Sequence, residues 1–593
     1  MTLMSHLKAP HLKAPHLSLP HLHHRNAATD EVSTPLTPPK IVVVGGVAGG
    51  MSFVARARRL CECATITILE KGPFVGYANC GIPYALGGLL QSDEALILQT
   101  PESIKAQYNV DVRLGNEVIK INREEKTVEY TTEDGDTQYT AYDKLVLAQG
   151  AEPNKPAIPG ADGDNVFTLQ TIPDMEYIKC YLATHSSRSV AIIGGGFIGL
   201  EAAESLHASG VQVSIIEYMP HIFPPIDQDV AEPLHAEIKS KGVDLYLSAR
   251  IREIRHAPQP KSTSEIVLES GEKIEAHIIL LVAGVRPRIE LAQQIGLDCN
   301  RFGVITNEYL QTTDPDIYAI GDMACTMNMV TKTQHNLTHA GPANHQGRLV
   351  ADHIFGRKVA YRGNVGTSVC QVFGLNVAIV GSSIRSLRAQ GLTPEYITVH
   401  PPNHASYYPG SSLMTLKLAF SKPDGKILGA QILGKEGVDK RIDVIATCMQ
   451  AGMTVFDLEH LELAYAPPFG SAKDPVNMAG FVASNVLRGD TEIVHPEDLT
   501  SDLLEYWQIV DVRNAEDFAN NGHLKGALLI SLDELRGHLE LLDKNKKTLV
   551  YCEVGYRGYL AYRILKQSGF EHVMNLDGGF REVSQGGHKA LIA

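Results

Sequence analysis

Several things that would narrow the role of this chain at once are scarce in it. Its 593 residues include one tryptophan and only 6% aromatics. No run of 18 or more apolar residues occurs, so no membrane-spanning helix is expected. Nine cysteines are scattered along the chain, an odd number without the dense spacing of a disulfide scaffold. That usage fits a reducing, cytoplasmic setting. Basic charge is in deficit, 53 Lys and Arg against 67 Asp and Glu for a net −14, so neither general nucleic-acid binding nor attachment to an anionic membrane is expected.

What is present is a globular composition, 44% apolar and 20% charged, over a length that suggests about four domains. Residues 1–39 stand apart. His6, His11 and His16 recur every five residues, His21, His23 and His24 follow, and no acid precedes Asp30. Proline at the same five-residue interval prevents a helix, so a disordered extension is expected rather than a metal-binding tract. No apolar stretch of secretory-signal length occurs there, and the segment is poor in arginine.

Order begins at Lys40. KIVVVGGVAGG reads as a buried strand running into a glycine turn, MSFVARARRL as the following helix, and ATITILE as a second strand ending in Glu70. The pattern returns in SVAIIGGGFIGLEAAESLHASG and VQVSIIE, which ends in Glu217. In the second unit Gly194, Gly196 and Gly199 form G-x-G-x-x-G, with Glu217 eighteen residues beyond Gly199. The first glycine permits the tight turn, the second lets backbone approach a pyrophosphate, and the third lets helix and strand pack. The helix N-terminus supplies amide donors for the phosphates. Glu217 is placed to accept from a ribose 2′-hydroxyl and to repel a 2′-phosphate. Tyr218 and Met219 follow it directly, with no arginine to neutralise that phosphate, so NADH is expected over NADPH. The first unit keeps Gly45 and Gly50 but has Val47 in the middle place, with Glu70 as the ribose acid.

YDKLVLAQGAEP (142–153) and TDPDIYAIGDMA (313–324) resemble the flavin-contacting segments of flavoprotein disulfide reductases. With the two glycine turns, residues 40–488 resemble the single-cysteine pyridine nucleotide–disulfide oxidoreductases. The nearest in motif are the coenzyme A-disulfide reductases and their rhodanese-fused, persulfide-reducing relatives. The resemblance implies FAD held by Gly45, Gly50, Glu70 and Asp322, NADH on the second turn, and coenzyme A as substrate or cofactor. Gln149 departs from the pattern, standing where Thr is usual, and so does Arg288, where Asn is frequent.

Cys80, in GYANCGIPYALGG, is the redox cysteine that the resemblance implies. The second cysteine of two-cysteine relatives, five residues on, is absent, so Cys80 is expected to work through a mixed disulfide, a persulfide or a sulfenic acid. Its thiol is expected to be lowered toward the thiolate. By the same likeness Tyr407 (with Tyr408 adjacent) and Tyr465 enter the site from the second subunit of a homodimer, and Arg59, Lys105 and Asn79 contact coenzyme A, with Arg56 a turn before Arg59. Gly76 replaces a usual Ser, and a coenzyme A contact is expected to be lost there. Cys61 and Cys63 make a C-x-C pair with no partner pair nearby and are read as packing residues; no metal site is expected.

Residues 501–593 resemble a single rhodanese domain. Cys552 ends an apolar strand and opens the loop C-E-V-G-Y-R, where backbone amides and a helix dipole favour thiolate and persulfide. Arg557 adds positive charge, and Glu553 departs from the usual basic or amide residue. The expected architecture is α/β: two Rossmann-like dinucleotide-binding domains, an α+β dimerisation domain and a C-terminal α/β rhodanese domain. The expected boundaries are 40–152 and 274–360 for FAD, 153–273 for NAD, 361–490 for dimerisation and 491–593 for rhodanese. The expected activity is NADH-driven reduction of persulfides, polysulfides or coenzyme A disulfides. The alternatives are an NADH oxidase or peroxidase using a Cys80 sulfenic acid, and a sulfur-carrier or redox-sensing interaction protein.

Overall fold

Each glycine turn closes the C-terminal end of a central parallel strand. The computed structural model describes residues 37–184, 188–256 and 263–593; the histidine-rich tract lies outside them. The strand Lys40–Val44 sits between Thr65–Leu69 and Lys144–Leu147, with Asp111–Arg113 and Ile317–Ala319 at the edges, all parallel. Ser189–Ile193 is likewise flanked by Gln212–Ile216 and Ile278–Leu281, with Asp244–Tyr246 and Val166–Phe167 outside. Both turns therefore lie where strand order reverses, the crevice in which such sheets take ligands. The expected break at 273/274 does not match this sheet. Ile278–Leu281 is a fully buried apolar strand that completes the second sheet, so that unit extends past 273.

The repeated chemistry is visible in the backbone. Gly45 and Gly194 have φ of +103° and +119°, and a Cβ on either would lie 2.3 or 2.5 Å from the carbonyl oxygen of Ala148 or Val282. Gly50 and Gly199 let helix cross strand: a Cβ on each would fall 2.0 Å from the carbonyl oxygen of Gly45 or Gly194. The helices Ala48–Leu60 and Phe197–Ala208 follow the turns.

A third sheet is antiparallel, in the order Ser368–Val372, Leu375–Gly381, Ile427–Gly434, Thr415–Phe420, Glu395–Val399. Helices Val438–Gln450 and Pro475–Arg488 pack on it. A fourth, parallel sheet runs Ile493–Val494, Val573–Leu576, Thr548–Tyr551, Gln508–Asp511, Ala527–Leu529. Among the described residues no helix is long and apolar enough to cross a membrane.

The last two sheets meet through buried polar groups. The Thr398 amide donates to Asp577 Oδ1 at 2.9 Å. His495 lies between Asp577 (3.2 Å) and Glu395 (3.1 Å) and stacks on Tyr396. Although burial works against the imidazolium, the two carboxylates push His495 up to about 9; despite its own burial, Glu395 is held down to about 2 by His495 and Lys422. His495 is raised above its unfolded value, so its contribution is complete below about 6.5 and is lost as pH rises through 9. Raising pH from 6.5 to 9 should therefore lower the melting temperature and open the segment near residue 495 to limited proteolysis. His495→Gln should start less stable and lose most of that pH dependence; an unchanged pH profile in the variant would remove His495 from the junction.

Candidate active site

A cavity of about 1520 Å³ runs from the first glycine turn past Cys80 to the second. Gly45, Val47, Glu70, Asn79, Cys80, Gln149, Gly196, Glu201, Arg288 and Asp322 contribute to its wall. Glu70 accepts from the amides of Gly46 and Gly72, both at 2.8 Å. Glu217 does the same in the second unit, accepting from Gly195 at 2.7 Å and Met219 at 2.8 Å. Each acid thus braces its own turn while keeping lone pairs for a ribose hydroxyl. A Cβ on Gly196 would meet open space, which leaves room for a ligand against that turn.

The wall is polar in ways the chain does not satisfy. Among the described residues, Gln149 Oε1, Asn336 Oδ1 and His339 Nδ1 are buried without a partner. Burial alone pushes Asp322 up to about 6, with no charge or hydrogen bond offsetting it. Buried polar groups are normally paired, so this set fits a polar ligand along the wall between the two turns.

Cys80 sits in the single turn Asn79–Gly81, which leads into the short helix Ile82–Leu86. It is exposed at the residue level but recessed in the cavity wall, and its sulfur lies 3.7 Å from Asn79 Oδ1. The expected lowering of its thiol is not supplied by this chain. Burial pushes it up, and the charges of Glu201 and Asp322 add to that. Glu201, itself raised by burial, accepts from the Tyr84 hydroxyl at 2.9 Å. Sequence reasoning missed both residues. Tyr84 is four residues beyond Cys80, a spacing that shares a helix face, and Glu201 is two beyond Gly199.

Two of the departures from the family pattern touch one another: Arg288 Nη1 donates to the Gln149 carbonyl at 2.9 Å. Gly76 also has a local cause. Its φ is +58°, and a Cβ there would lie 2.8 Å from Gln99 Cβ, so a Ser would be strained unless Gln99 shifted. Arg59 and Lys105 are exposed on adjacent helices and do not line the cavity, whereas Arg56 is paired with Asp352 at 2.7 Å and unavailable. Arg250 is a cation the sequence did not place near Glu217: its guanidinium lies 4.8 Å from the centre of the exposed Tyr218 ring.

Tyr407 and Tyr465 come together but not at the Cys80 cavity of the same chain. They hydrogen-bond each other, which raises the Tyr407 phenol, and they are 76% and 50% exposed. Their loops are tied by Arg441, 1% exposed, which donates to the carbonyl of Asn403 at 2.9 Å and to Asp474 at 2.9 Å.

At the other end of the chain Cys552 is buried directly after Thr548–Tyr551. The amides of Phe580 and Arg581 hold the Cys552 and Glu553 carbonyls at 2.8 and 2.9 Å. Arg557 stands 3.7 Å from Asp517. Glu553 pairs with the fully buried Arg513 at 3.1 Å, so the departure at 553 has its own counter-charge. Among the described residues no cluster of His, Cys, Asp or Glu is arranged to hold a metal ion.

Two glycine-turn sheets sharing one cavity with a lone cysteine, an antiparallel sheet beside them and a sulfur loop at the end define a flavoprotein-type oxidoreductase fused to a rhodanese fold. The pyridine nucleotide-disulphide oxidoreductase model matches residues 39–347, its dimerisation domain residues 367–475, and the rhodanese-like domain residues 496–585. The chain belongs to the pyridine nucleotide-disulphide oxidoreductase family, which implies FAD and a nicotinamide dinucleotide as cofactors. It is 31% identical over 451 residues to the coenzyme A disulfide reductase of Staphylococcus haemolyticus, covering 75% of this chain and all of the relative. The structure of reduced Bacillus anthracis CoADR-RHD superposes with a TM-score of 0.91 at 40% identity, over 94% of this chain and 99% of that one. An NAD-dependent persulfide reductase from A. fulgidus gives 0.85 at 33% identity, over 92% and 99%.

Glu201→Gln removes a negative charge beside Cys80 and should lower its thiol. The sign follows directly: a lower value means more thiolate at neutral pH. Alkylation of Cys80 at pH 7 should quicken by roughly two- to tenfold for a shift of up to one unit. An unchanged rate–pH curve would show that the carboxylate does not reach the sulfur.

Proposed function

We propose that the chain is a homodimeric, FAD-dependent, NADH-consuming reductase of persulfides, polysulfides or coenzyme A disulfides, with its rhodanese domain handling sulfane sulfur. The observation that carries this reading is Cys80 in the cavity that joins the two glycine turns, with Ala85 where a second redox cysteine would stand. Gly45, Gly50, Glu70 and Asp322 would hold FAD, and Gly194, Gly196, Gly199 and Glu217 the nicotinamide dinucleotide. When bound, the flavin supplies the passage of two electrons from nicotinamide to sulfur.

The Cys80 thiolate attacks a sulfur of the substrate, forms a mixed disulfide or persulfide, and releases a thiol. Asn79 beside it, and Arg59 and Lys105 on the nearby helices, meet the polar and anionic parts of coenzyme A. Tyr407 and Tyr465, exposed and paired in one protomer, reach the partner's Cys80 and donate a proton to the departing thiolate. Cys552 takes up sulfane sulfur, with Arg557 holding negative charge at the loop. Glu217 disfavours a 2′-phosphate, and the exposed Arg250 guanidinium lies over the Tyr218 ring.

Two measurements test this. NADH should be used with a higher kcat/KM than NADPH, and Glu217→Gln should narrow the gap; equal use by the unaltered enzyme would sink the preference. Loss of one catalytic donor typically costs ~3 kcal/mol, or roughly a hundredfold. Tyr407→Phe with Tyr465→Phe should therefore slow turnover of coenzyme A disulfide at least that much while NADH still bleaches the flavin. Mixed dimers of that chain with a Cys80→Ser chain should regain activity, since one of their two sites is whole. Full activity of the double-Phe homodimer, or rapid peroxide turnover with none of sulfur substrates, would favour the oxidase or peroxidase alternative.

A further inference from the structure

Cys61 and Cys63 meet at the end of the helix that begins at the first glycine turn. Cys61 is buried and packs into the core beneath that sheet, whereas Cys63 is exposed. Their sulfurs are 2.7 Å apart, against about 2.05 Å in a disulfide. The turn that brings them together is held from outside. Arg58, 5% exposed, donates to the carbonyls of Cys61 (3.1 Å) and Glu62 (2.6 Å). The same guanidinium donates to the carbonyls of Tyr108 (2.6 Å) and Asn109 (3.0 Å) at the end of the neighbouring helix Pro101–Tyr108. One buried cation therefore fixes the backbone between the two cysteines before any chemistry begins. Packing explains Cys61 but not an exposed thiol held against it.

We propose that Cys61 and Cys63 form a second redox site, a dithiol that closes reversibly to a disulfide at the expense of a small-molecule disulfide. The exposed Cys63 thiolate attacks one sulfur of the reagent, forming a mixed disulfide and releasing the first thiolate. The Cys61 thiolate then attacks Cys63 Sγ, forming the Cys61–Cys63 bond and releasing the second. Two electrons pass from the pair to the reagent, and the two protons of the pair end on the two released thiols or in solvent. The hydrogen bond between the two sulfurs raises the Cys63 thiol, so closure quickens with pH as the thiolate fraction grows.

The test uses the full chain with Cys80→Ser and Cys552→Ser, so that neither sulfur-handling cysteine takes part. After treatment with oxidised glutathione, intact mass should fall by two units per chain through a link within the tryptic peptide Leu60–Lys71, reversed by dithiothreitol and formed faster at pH 9 than at pH 7. Adding Cys61→Ala should convert the outcome to a stable glutathione adduct on Cys63. A lasting adduct on Cys63 while Cys61 is present, or both residues remaining free to alkylation, would overturn the proposal.

Discussion

Lys417 occupies an inward position on a strand of the antiparallel sheet, where an ammonium is tolerated only because carboxylates close on it from two other parts of the chain. Asp229 and Asp227, at 2.6 and 3.3 Å, come from the second dinucleotide unit. Glu582 of the C-terminal domain adds its charge, itself 3.4 Å from His400. Together they hold the Lys417 ammonium far above its ordinary value despite burial. Removing one partner of such a group leaves a charge stranded in low dielectric, at about 3–5 kcal/mol. The second dinucleotide unit, the antiparallel sheet and the C-terminal domain thus meet at a group that none of them could bury alone.

Within the cavity the same device appears twice at smaller scale. A glycine turn ends a central strand, and the acid at the end of the next strand ties the turn from behind. Glu70 and Glu217 do this with nearly equal distances. Charge in the cavity wall works against the thiol, however. Glu201 and Asp322 both hold Cys80 toward its protonated form.

Features encoded within some thirty consecutive residues were legible in the sequence. The two strand–turn–helix–strand–acid units and the Cys552 loop are of that kind, because spacing alone determines which backbone atoms converge. Contacts made by distant residues were not. Tyr84 and Glu201 meet across 117 positions and Arg288 and Gln149 across 139. Arg250 stands over Tyr218 by virtue of sheet order rather than any local pattern. The strand Ile278–Leu281 has no glycine or acid marking it, and only its pairing with Ser189–Ile193 assigns it to the second sheet.

The closing turn after Val573–Leu576 has a double attachment. Asp577 is held by the Thr398 amide of the antiparallel sheet. Three residues on, Phe580 and then Arg581 grip the carbonyls of Cys552 and Glu553. The backbone around the buried sulfur is therefore braced against a strand that is not part of its own domain. Excised after residue 490, the rhodanese unit would keep its sheet and its cysteine but lose the outside anchor of the turn that braces its sulfur loop.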